Sequence, residues 1–221
     1  MRPSVIVFDV NETLSDMSPL GARLVEVGAS ATVAPLWFTS VLRDGFALTA
    51  AGENPAFADV AQDLLVSLLS PAQLNRSVDE AVGYVLEGLA SLEVHPDVQS
   101  GVGRLGEDGF RLVTLTNGGP ALSEQLLTSA GLRDRFERLL SVEDADSWKP
   151  AAAPYLYAAA QCGVEPEEMA LVAVHPWDVD GASRAGLQSV WVNRSAAAFP
   201  SIFTPPTHSV ASIDEIADLW E

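Results

Sequence analysis

The chain has 221 residues, of which 48% are hydrophobic and 19% are charged. This composition is typical of an ordered globular protein, and the length suffices for one large domain or for a core domain with a smaller insertion. The formal net charge is −18, from 30 acidic and 12 basic side chains. Such an excess of negative charge repels a phosphate backbone, so we expect no nucleic-acid partner.

The cysteine content and the hydropathy pattern exclude several other classes of protein. The single cysteine, Cys162, cannot form an intramolecular disulfide, and the three histidines do not form a zinc-type cluster with it. The N-terminus lacks the basic and then apolar pattern of a signal peptide, and no uncharged apolar run is long enough to cross a bilayer. We therefore expect a cytoplasmic protein without membrane association.

The first predicted element is a strand, and a helical stretch follows it. Val5–Phe8 is an apolar run without a polar break, which is typical of a strand buried on both faces. Between Pro19 and about Ser91 there are long apolar-periodic segments and no convincing strand. These segments are Ala34–Leu48, Val60–Leu69 and Val78–Leu92. The pattern predicts an all-helical cap domain over residues 17–95, inserted into a core domain formed by residues 1–16 and 96–221.

From about residue 98 onwards, predicted strands alternate with predicted helices. The strands are Arg111–Leu115, a shorter Arg138–Val142, Ala170–Val174 and Ser189–Val192, and the helices are Pro120–Ala130, Ala151–Gln161 and Val179–Ala185. A glycine follows each of these helices closely, as expected at helix C-termini. We expect a loop over Pro200–Pro206 and a closing helix over Ile213–Leu219. The alternation predicts an α/β fold with a doubly wound, Rossmann-like parallel sheet.

Polar residues follow four of the predicted strands. Asp9 follows the first, Thr116 and Asn117 the second, Lys149 the third and Asp178 the fourth. Ligands of open α/β sheets bind beyond the carboxyl ends of the strands, so we expect these side chains to meet in one site.

The residue types at these positions indicate nucleophilic chemistry. A desolvated and oriented carboxylate is a useful nucleophile, and a lysine beside Asp9 would keep it ionised. The Thr116 hydroxyl and the backbone N–H groups of the following Asn-Gly-Gly could bind an anionic group, and Thr116 could also cap the next helix. Asp178 could balance Lys149, orient a water molecule or bind a metal.

The order of these motifs resembles the haloacid dehalogenase superfamily. The motifs are Asp-x-Asn-x-Thr-Leu from Asp9, Thr-Asn-Gly from Thr116, Lys-Pro from Lys149 and Trp-Asp-x-x-Gly-Ala from Trp177. Each motif alone is weak, but four in this order on the expected elements are specific. The resemblance covers nearly the whole chain, including a helical cap after the first strand, and it implies that Asp9 forms a covalent enzyme intermediate.

Two positions distinguish between branches of this superfamily. Its phosphatases carry a second aspartate two residues after the nucleophile, where this chain has Asn11, and they bind Mg²⁺ through an acidic pair, of which only Asp178 is present. A general acid protonates an alkoxide leaving group, whereas a halide leaves without a proton. The resemblance therefore implies a type II (S)-2-haloacid dehalogenase, a cofactor-free hydrolase of carbon–halide bonds whose substrate is a small carboxylate.

The resemblance also implies roles for individual residues. Asp9 would be the nucleophile and Lys149 its cationic partner, while Thr13 and Thr116 contribute hydroxyls and Asp178 positions water or Lys149. The substrate-binding residues would be Val10, Asn11, Trp37, Phe38, Asn117, Tyr155, His175 and Trp177. Small capped hydrolases of this type are often dimers, so a homodimer is an open expectation.

The sequence departs from the dehalogenase pattern at three positions. The pattern has an arginine after the tryptophan of the first cap helix, where this chain has Phe38, and a serine and an asparagine where it has Ala173 and His175. Arg43, the nearest arginine, lies more than one helical turn from Phe38. The sequence leaves His175 open between a structural histidine and a catalytic base, and it leaves Tyr155 and the aromatic residues open between packing and binding.

Two other functions stay open at this point. The first is a phosphatase that binds Mg²⁺ through Asp9 and Asp178. The second is a non-catalytic binding or regulatory protein that keeps the fold.

Overall fold

The computed structural model describes residues 2–220, and six parallel strands form its central sheet. The strands are β1 Val5–Phe8, β2 Arg111–Thr116, β3 Arg138–Ser141, β4 Met169–Ala173, β5 Gln188–Val192 and β6 His208–Val210. Their order in the sheet is β3-β2-β1-β4-β5-β6. Strand β1 therefore lies at the centre, with β2 and β4 on either side of it.

The central strand is apolar throughout because helices cover both faces of the sheet. All four residues of β1 are fully buried, and successive side chains alternate between two clusters. Ile6 and Phe8 pack towards the helices α5 Val98–Glu107 and α6 Pro120–Ser129, whereas Val5 and Val7 pack towards α7 Ala152–Cys162 and α8 Pro176–Arg184. This arrangement is the doubly wound sheet that the sequence predicts.

Four helices lie between β1 and α5, and they form the inserted helical cap. They are α1 Pro19–Glu26, α2 Val33–Ala50, α3 Phe57–Leu69 and α4 Val78–Ala90. Helix α4 begins with a capping box, in which Ser77 and Glu80 each bond the other's backbone N–H. The cap has its own apolar interior because each helix presents one buried face, which includes Trp37, Leu65 and Val85.

One side of the cap packs tightly against the core at Trp148. The Trp148 indole donates a hydrogen bond to the carbonyl of Pro55 at 2.9 Å and stacks on Phe57 at a ring distance of 6.0 Å. A Cβ atom on Gly45 would lie 2.3 Å from the Trp148 ring. Glycine at this position therefore lets α2 approach the core loop that precedes Lys149.

The elements agree with the sequence-based expectations except where the periodic signal is short or broken by glycine. Helices α1 and α5 and strand β6 were not predicted, since α5 contains three glycines and β6 has three residues. Helix α8 begins at Pro176, three residues before the predicted start at Val179. The expected closing helix is a 3₁₀ helix, Ile213–Trp220. Within residues 2–220, no helix is both long and apolar enough to cross a membrane.

Candidate active site

The site forms where β1 and β4 end side by side. Phe8 pairs with Val172, and the backbone N–H of Asp9 donates to the Val172 carbonyl at 3.0 Å. The residues that follow the two strands therefore leave the sheet at the same edge. This register brings the loop after Asp9 against the loop that begins at Val174.

Lys149 lies between two carboxylates. Its Nζ atom is 3.0 Å from Oδ1 of Asp9 and 2.6 Å from Oδ2 of Asp178, and the lysine and Asp178 are fully buried. Charged groups are rarely buried unless they are paired, so Lys149 depends on the two carboxylates for its charge and each carboxylate depends on Lys149. The sequence predicts that these residues meet, and the structure brings them together.

Tyr155 and Asn117 form hydrogen bonds with Asp178 and Lys149, respectively. The Tyr155 hydroxyl donates to Oδ1 of Asp178 at 2.6 Å, and Asn117 exchanges two hydrogen bonds with the backbone of Lys149, at 3.0 and 3.2 Å. A Cβ atom on Gly181 would lie 2.6 Å from the Tyr155 hydroxyl. Both side chains are buried, and these contacts position Asp178 and Lys149.

The second oxygen of Asp9 accepts two further hydrogen bonds. The Thr13 hydroxyl donates to Oδ2 at 2.7 Å and itself accepts the N–H of Val174 at 3.1 Å. Nδ1 of His175 lies 3.2 Å from the same oxygen. Asp9 therefore has one donor on Oδ1 and two donors on Oδ2.

His175 connects Asp9 to a second carboxylate, that of Glu12. Nε2 of His175 lies 2.9 Å from Oε2 of Glu12, so both ring nitrogens face carboxylate oxygens. The imidazole is 12% exposed and stacks on Trp177 at a ring distance of 5.0 Å, with Phe38 at 6.2 Å. The backbone of Glu12 has φ = 60°, a strained conformation for a residue other than glycine, and such conformations cluster at functional sites.

The charges of these groups follow from burial and from their neighbours. Burial alone would raise the pKa of Asp9, but the charge of Lys149 and the His175 contact bring it well below the ordinary value. Burial alone would lower the pKa of His175, but Asp9 and Glu12 raise it from 6.5 to about 9. Burial also raises the pKa of Asp178, although Lys149 acts in the opposite direction. Asp9 is therefore ionised and His175 is protonated near neutral pH.

The residues do not fit the Mg²⁺ site that a phosphatase would need. Nζ of Lys149 lies between Asp9 and Asp178, where a metal bound by both carboxylates would have to lie. The oxygens of Asp178 accept hydrogen bonds from Lys149 and Tyr155. An ammonium group supplies the positive charge that Mg²⁺ supplies elsewhere, and Asn11 removes a further carboxylate.

Of the other predicted residues, two lie beside His175 and the rest lie elsewhere. Phe38 and Trp177 flank His175, as described above. Trp37 does not reach Asp9, because its indole donates to the Ala61 carbonyl at 2.8 Å inside the cap and the side chain is fully buried. Val10 and Asn11 line a small cleft with Leu89 and Leu122.

Thr116 also differs from the expectation. Its hydroxyl accepts the backbone N–H of Gly118 at 2.9 Å, which removes one of the N–H groups that we expected to be free for an anion. Gly119, and not Thr116, occupies the N-cap position of α6. Thr116 therefore closes the turn after β2 and leaves the helix end without a side-chain cap.

Two residues close to the site were missed by the sequence-based prediction, and both line a cavity of about 600 Å³ between the cap and the core. Glu12 bonds His175, and Arg194, at the end of β5, pairs with Asp97 and donates to the Thr13 carbonyl at 3.0 Å. Their positions after strands that flank the site are the signal that could have indicated them. The cavity reaches Phe38 and Val174 but is not lined by Asp9.

Comparison with known proteins places this geometry among hydrolases. Residues 3–186 match the model of the haloacid dehalogenase-like hydrolases. The chain is 28% identical to an (S)-2-haloacid dehalogenase of Pseudomonas putida over 96% of this chain and 94% of that protein. It is 27% identical to haloacetate dehalogenase H-2 of Moraxella sp. (strain B), with 97% and 96% covered. A crystal structure of a dehalogenase with an intermediate complex superposes with a TM-score of 0.91 at 26% identity, covering 98% and 96%.

Proposed function

Since the chain belongs to the haloacid dehalogenase-like hydrolases, we propose that it hydrolyses a 2-haloacid through an ester on Asp9. The observation that carries this proposal is the ionised Asp9 carboxylate, held by Lys149 at 3.0 Å and by Thr13 at 2.7 Å in a largely buried site. A carboxylate in such surroundings is oriented and only partly solvated, as a nucleophile must be.

In the first step, a carboxylate oxygen of Asp9 attacks C2 of the substrate and the halide departs with the bonding electrons. A carboxylate oxygen has two lone pairs in its plane, and Oδ2 uses both to accept from Thr13 and His175. Oδ1 accepts one hydrogen bond, from Lys149, and keeps one lone pair free. We therefore assign the attack to Oδ1. No proton donor is needed, because halides leave as anions.

In the second step, water attacks the carbonyl carbon of the Asp9 ester and releases a 2-hydroxy acid. Lys149 and Thr13 stay in place and stabilise the negative charge that develops on the oxygens of Asp9. Asp178 holds Lys149 in position at 2.6 Å, and Tyr155 holds Asp178. The reaction needs no metal, and the helical cap of residues 17–95 closes the site from the side of Phe38.

The test is halide release from both enantiomers of 2-chloropropionate in buffer that contains EDTA. The (S)-enantiomer is expected to release chloride and give (R)-lactate. Asp9→Asn should abolish release, while Asp44→Asn, the same change at a partly exposed cap residue paired with Arg43, should leave it unchanged. In single turnover in H₂¹⁸O, the label should enter Asp9 and not lactate, because water attacks the enzyme carbonyl.

Two results would contradict this proposal. Absence of halide release from a panel of 2-chloro-, 2-bromo- and 2-fluoroacids by folded protein would favour a binding protein. Mg²⁺-dependent turnover of p-nitrophenyl phosphate would favour a phosphatase and would show that Lys149 can be displaced from between the two carboxylates.

A further inference from the structure

The hydrolytic step needs a base near Asp9, and Asp178 is poorly placed to be that base. Its two oxygens accept from Lys149 and Tyr155 at 2.6 Å each, and the residue is fully buried. The Lys149 ammonium group also lies between Asp178 and Asp9, so it separates the Asp178 carboxylate from the nucleophile. The group that removes a proton from the attacking water must therefore come from elsewhere.

His175 is the titratable group that meets the geometric requirements. Its Nδ1 lies 3.2 Å from Oδ2 of Asp9, so a water molecule that approaches the Asp9 carbonyl carbon comes within hydrogen-bond distance of this nitrogen. Its Nε2 is held by Glu12 at 2.9 Å, and the ring is fixed between Trp177 and Phe38. A base oriented by a carboxylate through its second nitrogen is the arrangement of a catalytic histidine.

We propose that His175, oriented by Glu12, is the general base of ester hydrolysis, and that formation of the Asp9 ester converts it from the protonated to the basic form. This inference rests on the ester intermediate of the proposed function and adds the residue that resolves it. The conversion follows from charge. While Asp9 is ionised, both ring nitrogens face carboxylates and the imidazolium is stabilised. Once Asp9 is esterified, the nearer negative charge is gone and the proton is released.

The titratable groups around the ring are consistent with this sequence of events. Glu12 and the nucleophile Asp9 raise the pKa of His175 to about 9 against the effect of burial. Glu12 alone remains after esterification, and its side chain is 45% exposed, so water screens its charge. Lys149 lies on the opposite oxygen of Asp9, and its positive charge favours release of the proton.

The protons balance over one turnover. After the carbon–halogen bond breaks, His175 loses its Nδ1 proton to solvent. It then takes one proton from the attacking water as the new carbon–oxygen bond forms at the Asp9 carbonyl. When the ester bond breaks, the second water proton passes to the departing alkoxide and Asp9 is again a carboxylate. The sum is substrate plus water giving 2-hydroxy acid, halide and one proton.

Glu12 also determines which nitrogen becomes the base, because its carboxylate keeps the other ring proton on Nε2 and leaves Nδ1 to lose its proton. Its carboxylate bonds His175 on one side and lines the 600 Å³ cavity on the other. The left-handed backbone of Glu12, with φ = 60°, places the side chain between the two. Glycine adopts this conformation without strain, so a glutamate here indicates that the carboxylate serves a purpose.

The test separates the two chemical steps in the enzyme with (S)-2-chloropropionate. We would measure the halide burst by rapid quench and the ester on the Asp9 peptide by mass spectrometry. His175→Asn should release one equivalent of chloride in a burst and then turn over about 10²- to 10⁴-fold more slowly, with the ester accumulating. Glu12→Gln should give the same pattern with a smaller loss. His208→Asn, the same change on β6 outside the site, should behave as the unaltered protein.

Each alternative outcome has a distinct meaning. If His175→Asn slows the burst and the steady state equally and no ester accumulates, or if it turns over normally, His175 is not the base. The hydrolysis rate of the accumulated ester should rise with pH around the ordinary histidine pKa in the unaltered protein and should lose that dependence in His175→Asn. If the unaltered protein releases no halide from any haloacid, the proposed function itself fails.

Discussion

Replacing Lys149 by methionine should destabilise the protein strongly, because it leaves two buried carboxylates without the cation that lies between them. The lysine and Asp178 are fully buried and Asp9 is 3% exposed, so solvent screens these charges little. Removing one partner of a buried ion pair costs about 3–5 kcal/mol, mostly from the charge left unpaired. Methionine fills a similar volume, which keeps the cost of a cavity small.

The source of this cost can be tested with a second substitution. Asp178→Asn removes one of the unpaired charges, and its side-chain oxygen can still accept from Tyr155. The double variant Lys149→Met/Asp178→Asn should therefore recover about 1–3 kcal/mol relative to Lys149→Met alone, since neighbouring sites are not additive.

The assay is urea unfolding at pH 7, followed by tryptophan fluorescence and circular dichroism. Lys149→Met should lower the midpoint by about 1–2 M urea, because the free energy of unfolding of a protein of this size changes by about 2–3 kcal/mol per M. If the double variant is as unstable as the sum of the single variants, the reasoning from unpaired buried charge is refuted. A midpoint unchanged in Lys149→Met would refute it equally.

Three further predictions concern packing, capping and pH. Gly45→Ala should lower the free energy of unfolding by about 1–3 kcal/mol, because its Cβ would overlap the Trp148 ring. Gly83→Ala should raise the free energy of unfolding by about 0.5–1 kcal/mol, because nothing lies within 4 Å of the added atom. Equal effects of the two substitutions in urea unfolding would contradict this reasoning. Ser77→Ala removes the capping box of α4 and should cost about 1 kcal/mol by the same assay, and an unchanged midpoint would count against the cap. The raised pKa of His175 contributes stability that is complete below pH 6.5 and is lost as pH rises through about 9, so unfolding midpoints should fall over that interval and His175→Asn should flatten the fall.

The sequence allows the core of the site to be predicted because its parts lie at fixed places on predictable strands. Asp9, Lys149 and Asp178 each follow a buried strand or its loop, and parallel strands end at one edge, so their meeting follows from topology. The hydroxyl of Thr13 reaches Asp9 from one turn further along the same loop.

Other contacts depend on geometry that no local pattern specifies. The link between Glu12 and His175 requires the register of β1 against β4 and a left-handed backbone at Glu12, and neither can be inferred from neighbouring residues. Trp37 illustrates the opposite error. Its place beside Phe38 in the motif suggested a binding residue, but adjacent residues on a helix point in directions about 100° apart, and Trp37 packs into the cap.

Trp148 connects the cap to the candidate active site, because it contacts the cap and directly precedes Lys149 in the chain. Helix α2 rests on the indole at Gly45, and the residue after that indole holds the nucleophile. A displacement of the cap on this side would pull the lysine away from Asp9, so this edge serves as a fixed anchor. The cavity lined by Arg194 and Glu12 meets the same helix nearer its N-terminal end, at Ala34 and Phe38, so under the proposed function a substrate would enter on that side.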